Sequence, residues 1–114
     1  MPLVVEHEDR TDVTSVITLR GKLMLGAESA QLESLVPQLI KNGRKNLVFD
    51  LSGVTHIDST GIGRFIDTYS RLTPVGGKMR LACPTAPVRD AFHVTRLDTV
   101  FKFFPSVDEA CEGL

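Results

Sequence analysis

The run Asn46-Leu-Val-Phe-Asp-Leu51 leads through Ser52-Gly-Val-Thr-His-Ile57 into Asp58-Ser-Thr-Gly-Ile-Gly63. Its first six residues are almost continuously apolar, as in a strand covered on both faces within a parallel arrangement. This predicts the central strand. Residues 52–58 read as a loop. From Ser59 onward, Ile62, Phe65, Ile66, Tyr69 and Leu72 recur with helical period, so a helix is predicted over about 59–72.

On the N-terminal side, residues 3–7 and 13–20 are rich in β-branched side chains and read as two strands. The polar connection Glu8-Asp-Arg-Thr-Asp12 is too short for a crossover helix, so the two strands form an antiparallel hairpin. Gly21 to Gly26 reads as a turn region. Leu32, Leu35, Val36, Leu39 and Ile40 then fall on one face of a helix over about 27–42, with Pro37 off that stripe and Gly43 ending it. On the C-terminal side, Gly76-Gly77 turns the chain into the alternating strand Lys78-Met-Arg-Leu-Ala-Cys83. Thr85 is placed to cap a third helix with Val88, Ala91, Phe92 and Thr95 inward. Val100 to Phe104 reads as a short edge strand stopped by Pro105, and Ser106-Val-Asp-Glu109 is a capping box opening a last helix. The expected architecture is one α/β domain over residues 1–114. It has a mixed sheet of four to five strands, an opening antiparallel hairpin and about four helices packed mainly on one face.

Composition narrows the function. Thirteen basic against fourteen acidic residues give a net charge of −1, without the basic excess of a nucleic-acid binder, so no direct DNA binding is expected. No apolar run approaches bilayer-spanning length and the first residues carry an acidic flank, so the expectation is no membrane span and a cytoplasmic location. Cys83 and Cys111 read as reduced, packed thiols, and His7, His56 and His93 show no metal-ligand spacing. Gly61-Ile-Gly63 lacks the third glycine of a dinucleotide fingerprint, Ile66 standing in its place, and there is no phosphate-binding Gly-Lys-Ser/Thr. Ser59 is not in a Gly-x-Ser-x-Gly elbow. No catalytic residue, cofactor or metal is therefore expected. A receiver-like acidic pocket from Glu6, Asp9 and Asp50 is disfavoured, because that fold needs a helix where this chain has a second strand.

Asp58-Ser59-Thr60-Gly61-Ile62-Gly63 places hydroxyls, a carboxylate and two glycines where loop becomes helix. Read alone, it is either an N-cap with glycines that permit tight packing, or a bare surface that another protein approaches closely. The longer stretch Val48 to Gly63 is similar to the signature of the STAS domain of bacterial anti-sigma factor antagonists. The resemblance extends to Gly21-Lys22-Leu23, to Gly76-Gly-Lys-Met-Arg-Leu81 and to Thr95-Arg96-Leu97.

The resemblance implies a STAS-like mixed sheet and a phosphorylated serine at position 59. It implies as partners a serine kinase that doubles as the anti-sigma factor and a phosphatase that resets Ser59. The unphosphorylated protein would bind the kinase through the surface around the start of the second helix, Asp58, Ser59, Thr60, Gly61, Ile62 and Gly63, freeing a sigma factor. Such a protein is a switch and not an enzyme. Where the family carries an acidic residue after Gly-x-Leu, this chain has Met24, which is either exposed, offering an apolar partner contact, or packed under the first helix. Two alternatives are a STAS subunit packed in a transporter or sensory assembly without phosphorylation, and a nucleotide-binding STAS module. The first would tolerate Ser59→Ala without loss of regulation, and the second would bind guanine or adenine nucleotides in calorimetry.

Overall fold

The computed structural model describes residues 3–114; Met1 and Pro2, included in the single-domain expectation, lie outside the described residues. The elements run β1 (Val4–Asp9), β2 (Thr14–Leu23), α1 (Ala27–Lys41), β3 (Asn46–Ile57), α2 (Ser59–Leu72), β4 (Lys78–Ala82), α3 (Ala86–Val94), β5 (Phe103–Phe104) and α4 (Val107–Cys111). The strands lie in the order β1-β2-β3-β4-β5. β1 and β2 form the expected antiparallel hairpin, and every later neighbour is parallel. The hairpin turn is closed by the Thr11 hydroxyl, which accepts from the Val13 and Thr14 N–H groups at 3.2 and 3.1 Å.

The apolar run of β3 is buried because both sheet faces are covered. On one face Ile17, Leu19, Leu47, Phe49 and Leu51 meet Leu32, Val36 and Leu39 of α1, Phe65 and Leu72 of α2, and Val88 and Phe92 of α3. The rings of Phe49 and Phe65 pack edge to face, 5.1 Å apart, which fixes α2 against the central strand. On the opposite face Val16, Val48 and Ala82 are covered by Ala110 of α4, with Val107, Cys111 and Leu114 around it. Three helices thus share one face and α4 alone closes the other. The Ser106 hydroxyl accepts from the Glu109 N–H at 3.1 Å, the cap predicted for that helix.

The structure corrects the reading of two segments. Residues 52–57 are not a loop but the second half of β3, and β2 does not turn at Gly21 but continues to Leu23. The two extensions pair with each other, Gly21 with Val54, Lys22 with His56 and Leu23 with Ile57. Gly21 has φ 105°, and register shifts flank it, so this glycine bends a strand instead of ending one. The consequence for the site is that only Asp58 separates β3 from α2. Two smaller corrections concern α3. Thr85 stands at its N-cap, but the hydroxyl donates to the Val54 carbonyl at 2.8 Å and caps nothing. Thr95 is exposed, and its hydroxyl donates back to the Ala91 carbonyl at 2.8 Å.

Candidate functional site

The site grows from one carboxylate. Asp58 has extended backbone at the N-cap of α2, and its Oδ1 accepts from the Gly61 N–H at 2.9 Å. This satisfies one of the donors left free at a helix start. Its Oδ2 accepts from the Leu25 N–H at 3.0 Å, in the three-residue connection between β2 and α1. The Asp58 N–H in turn faces the Leu23 carbonyl at 3.4 Å. One side chain therefore ties the start of α2 to a segment 33 residues earlier. Burial pushes the Asp58 carboxyl up, but the backbone N–H groups of Leu25, Gly61 and Thr60 outweigh it and hold the group below the usual carboxylate range.

Gly61 is buried because α2 starts almost in contact with the end of β2. A Cβ on Gly61 would lie 2.2 Å from the Leu23 carbonyl oxygen and 2.9 Å from Cγ1 of Ile57. Ile62 is half-buried against the main core. The outward groups of this first stretch are Ser59, exposed at the first helical position, and Gly63, also exposed, with nothing within 4 Å of where its Cβ would be. Thr60 is half-buried beside a shallow groove that it shares with Gly63, Arg64, Glu33 and Ser34. Arg64 pairs with Glu33 across that groove and joins α2 to α1.

Sequence reasoning placed Met24, Asp58, Ser59, Thr60, Gly61, Ile62 and Gly63 together, and the structure brings all seven to the junction of β2, β3 and α2. Their roles differ. Asp58 and Gly61 face inward and shape the junction, whereas Ser59 and Gly63 face solvent. Met24 is half-buried, and it is the next residue, Leu25, that exposes 80% of its surface. Nothing in the sequence Met24-Leu25-Gly26 shows which apolar residue turns outward.

The STAS domain family profile matches residues 3–110. The chain belongs to the STAS domain family. A Thermotoga neapolitana STAS relative named as a candidate anti-sigma factor antagonist is 28% identical over 102 residues, covering 88% of this chain and 90% of that protein. The crystal structure of an anti-sigma factor antagonist from Mycobacterium paratuberculosis is 27% identical with a TM-score of 0.77, covering 95% of this chain and 90% of the other. The Bacillus cell fate determinant SpoIIAA, solved in its phosphorylated form, shares the STAS fold at a TM-score of 0.76 and 21% identity, covering 94% of this chain and 96% of the other. Among the described residues of this STAS domain, no helix is long and apolar enough to cross a membrane.

The Asp58 geometry makes a stability prediction. Asp58→Ala is expected to lower unfolding free energy at pH 7 by about 0.5–2 kcal/mol, the usual range for a lost N-cap. Because the folded-state pKa of Asp58 is depressed, its contribution is fully present above the unfolded value and is lost as pH falls through the folded one. Urea unfolding of both proteins from pH 7 down to about pH 2.5 should therefore show the gap narrowing below roughly pH 4. A gap of constant size across that range would contradict the role given to the ionised carboxylate.

Proposed function

We propose that this STAS domain protein is an anti-sigma factor antagonist controlled by phosphorylation of Ser59. In the unphosphorylated form it holds an anti-sigma factor serine kinase through the surface around the first turn of α2 and so frees a sigma factor. Phosphorylation by that kinase ends the contact, and a serine phosphatase restores it. The protein acts in the cytoplasm as substrate and ligand, not as an enzyme, and residues 1–114 work as one domain.

The observation that carries this reading is the contrast between Ser59 and its neighbours. Asp58 is committed to two backbone donors, Gly61 is packed against β2, and Ile62 is held by the core, whereas the Ser59 side chain is exposed at the first helical position. A hydroxyl so placed is open to a kinase, and a phosphate added there meets the positive end of the helix dipole. Gly63, one turn further on the exposed side, adds a stretch of bare backbone that a partner can approach closely. The names carried by the relatives from Thermotoga and Mycobacterium support the anti-sigma factor antagonist part of this reading.

Peptide mapping of protein purified from its native cells tests it. Phosphate is expected on Ser59. Reproducible phosphate on Ser52, Ser70 or Thr73 in place of Ser59 would remove the reading. The Thr73 hydroxyl already donates to the Tyr69 carbonyl at 2.9 Å at the far end of α2, well away from the Asp58 junction.

A further inference from the structure

Leu25 lies in a connection of three residues, Met24 to Gly26, whose two ends are fixed independently. On the β2 side Leu23 is fully buried in the core. On the α1 side the Gly26 carbonyl accepts from the Ala30 N–H at 3.3 Å and from the Ser29 hydroxyl at 3.2 Å. Between these anchors, among the described residues, the hydrogen bond from the Leu25 N–H to Asp58 Oδ2 is the one side-chain tie holding the Leu25 backbone to α2. An exposed leucine is unremarked by itself. Here, however, the backbone of a leucine exposed by 80% is held by the carboxylate next in sequence to Ser59, which also caps the helix that Ser59 begins.

We infer that Asp58 is a positioning residue that couples the charge on Ser59 to the β2–α1 connection, so that phosphorylation loosens Leu25 from the surface a partner reads. This rests on the reading of Ser59 as the phosphorylated residue. The recognition surface is then built from two chain segments, an apolar Leu25 and a small neutral Ser59, and it fits a partner that offers an apolar pocket beside an uncharged contact. The coupling follows from a shortage of donors. The Ile62 N–H is taken by the Asp58 carbonyl at 3.0 Å, which leaves the N–H groups of Ser59, Thr60 and Gly61 to serve any anion at the helix start. A phosphate of charge about −1.5 to −2 on Ser59 competes with the Asp58 carboxylate for these donors and repels it. The donors on α2 stay where the helix holds them, whereas the Leu25 N–H belongs to a separate segment and is the one that separates when the carboxylate shifts. The depressed pKa of Asp58, with Leu25 foremost among the donors responsible, agrees with a carboxylate that depends on this contact.

The test uses the full chain with phosphoserine installed at position 59 during translation, and no partner. Amide exchange is followed residue by residue by NMR. The Leu25 amide is expected to exchange more than threefold faster in the phosphoserine protein, on the order of tenfold, with Phe65 and Thr68 inside α2 changing less than threefold. Asp58→Asn and Asp58→Ala should speed Leu25 exchange in the unmodified protein, and phosphoserine should add less than threefold on either background. A Leu25 change below threefold on phosphorylation overturns the inference, as does an acceleration shared equally by Phe65 and Thr68, which would mean general loosening. Because the measurement is made on the free protein, it is independent of whether a kinase binds. Loss of partner control with Leu25 responding as stated would overturn the proposed function alone.

Discussion

Ser59→Asp is expected to weaken binding to the kinase partner by more than about 100-fold while leaving the melting temperature close to that of the unmodified protein. Ser59→Ala should bind as the unphosphorylated protein does and lose its regulation. The two effects have separate causes. Within the fold, a carboxylate at the first position of α2 meets the positive helix end, a gain of about 0.3–1 kcal/mol that partly offsets repulsion from Asp58. Folding therefore hardly changes. At an interface formed around a small neutral hydroxyl, the same charge is desolvated without a matched partner, which costs several kcal/mol, and each 1.4 kcal/mol is tenfold in affinity. Calorimetric binding and thermal melting of both variants check this. Retention of affinity within about tenfold by Ser59→Asp, or a loss that tracks unfolding, would go against it.

The two glycines of the same turn should respond in opposite directions. Gly61→Ala is expected to destabilise the domain by about 3 kcal/mol, the upper part of the usual range for overpacking. The new Cβ would stand 2.2 Å from a backbone carbonyl oxygen, so either the first turn of α2 or the end of β2 must move. Gly63→Ala meets nothing within 4 Å and replaces a glycine inside a helix. It should stabilise the fold by about 0.5–1 kcal/mol. If a partner approaches the bare backbone at Gly63, the same methyl group weakens binding while strengthening the fold. Denaturant unfolding separates the two variants, and equal stability changes at both positions would show that α2 does not lie against β2 as described.

The parts of this structure that sequence reasoning reached are those whose pattern is local. Ile62, Phe65, Tyr69 and Leu72 announce α2 by their spacing, and Ser106 with Glu109 announces the start of α4. The first half of β3 is apolar enough to be read as a covered strand. Its second half does not read as a strand, because Ser52, Thr55 and His56 are polar and Gly53 looks like a turn signal. What keeps that half extended is pairing with Arg20 to Leu23, a contact between segments that neither one reveals alone. The tie between Leu25 and Asp58 was illegible for the same reason, since it exists only once the ends of β2 and β3 lie side by side. The side of the sheet taken by α4 depends on the small, flat surface of Val16, Val48 and Ala82, which strand alternation does not label as a docking face. Within the site, the sequence shows that Asp58 can cap a helix, but only the structure shows its second oxygen committed elsewhere.

A phosphate on Ser59 is expected to turn binding off without turning folding off. This is tested most directly by comparing unmodified and phosphoserine-59 protein, each confirmed folded by its melting temperature, in calorimetric titration against the serine kinase captured from native cells on the Ser59→Ala protein. The phosphoserine form is expected to lose more than about 100-fold in affinity while keeping a native melting transition. Equal affinity of the two forms, or a loss accompanied by unfolding of the phosphorylated domain, would contradict this expectation.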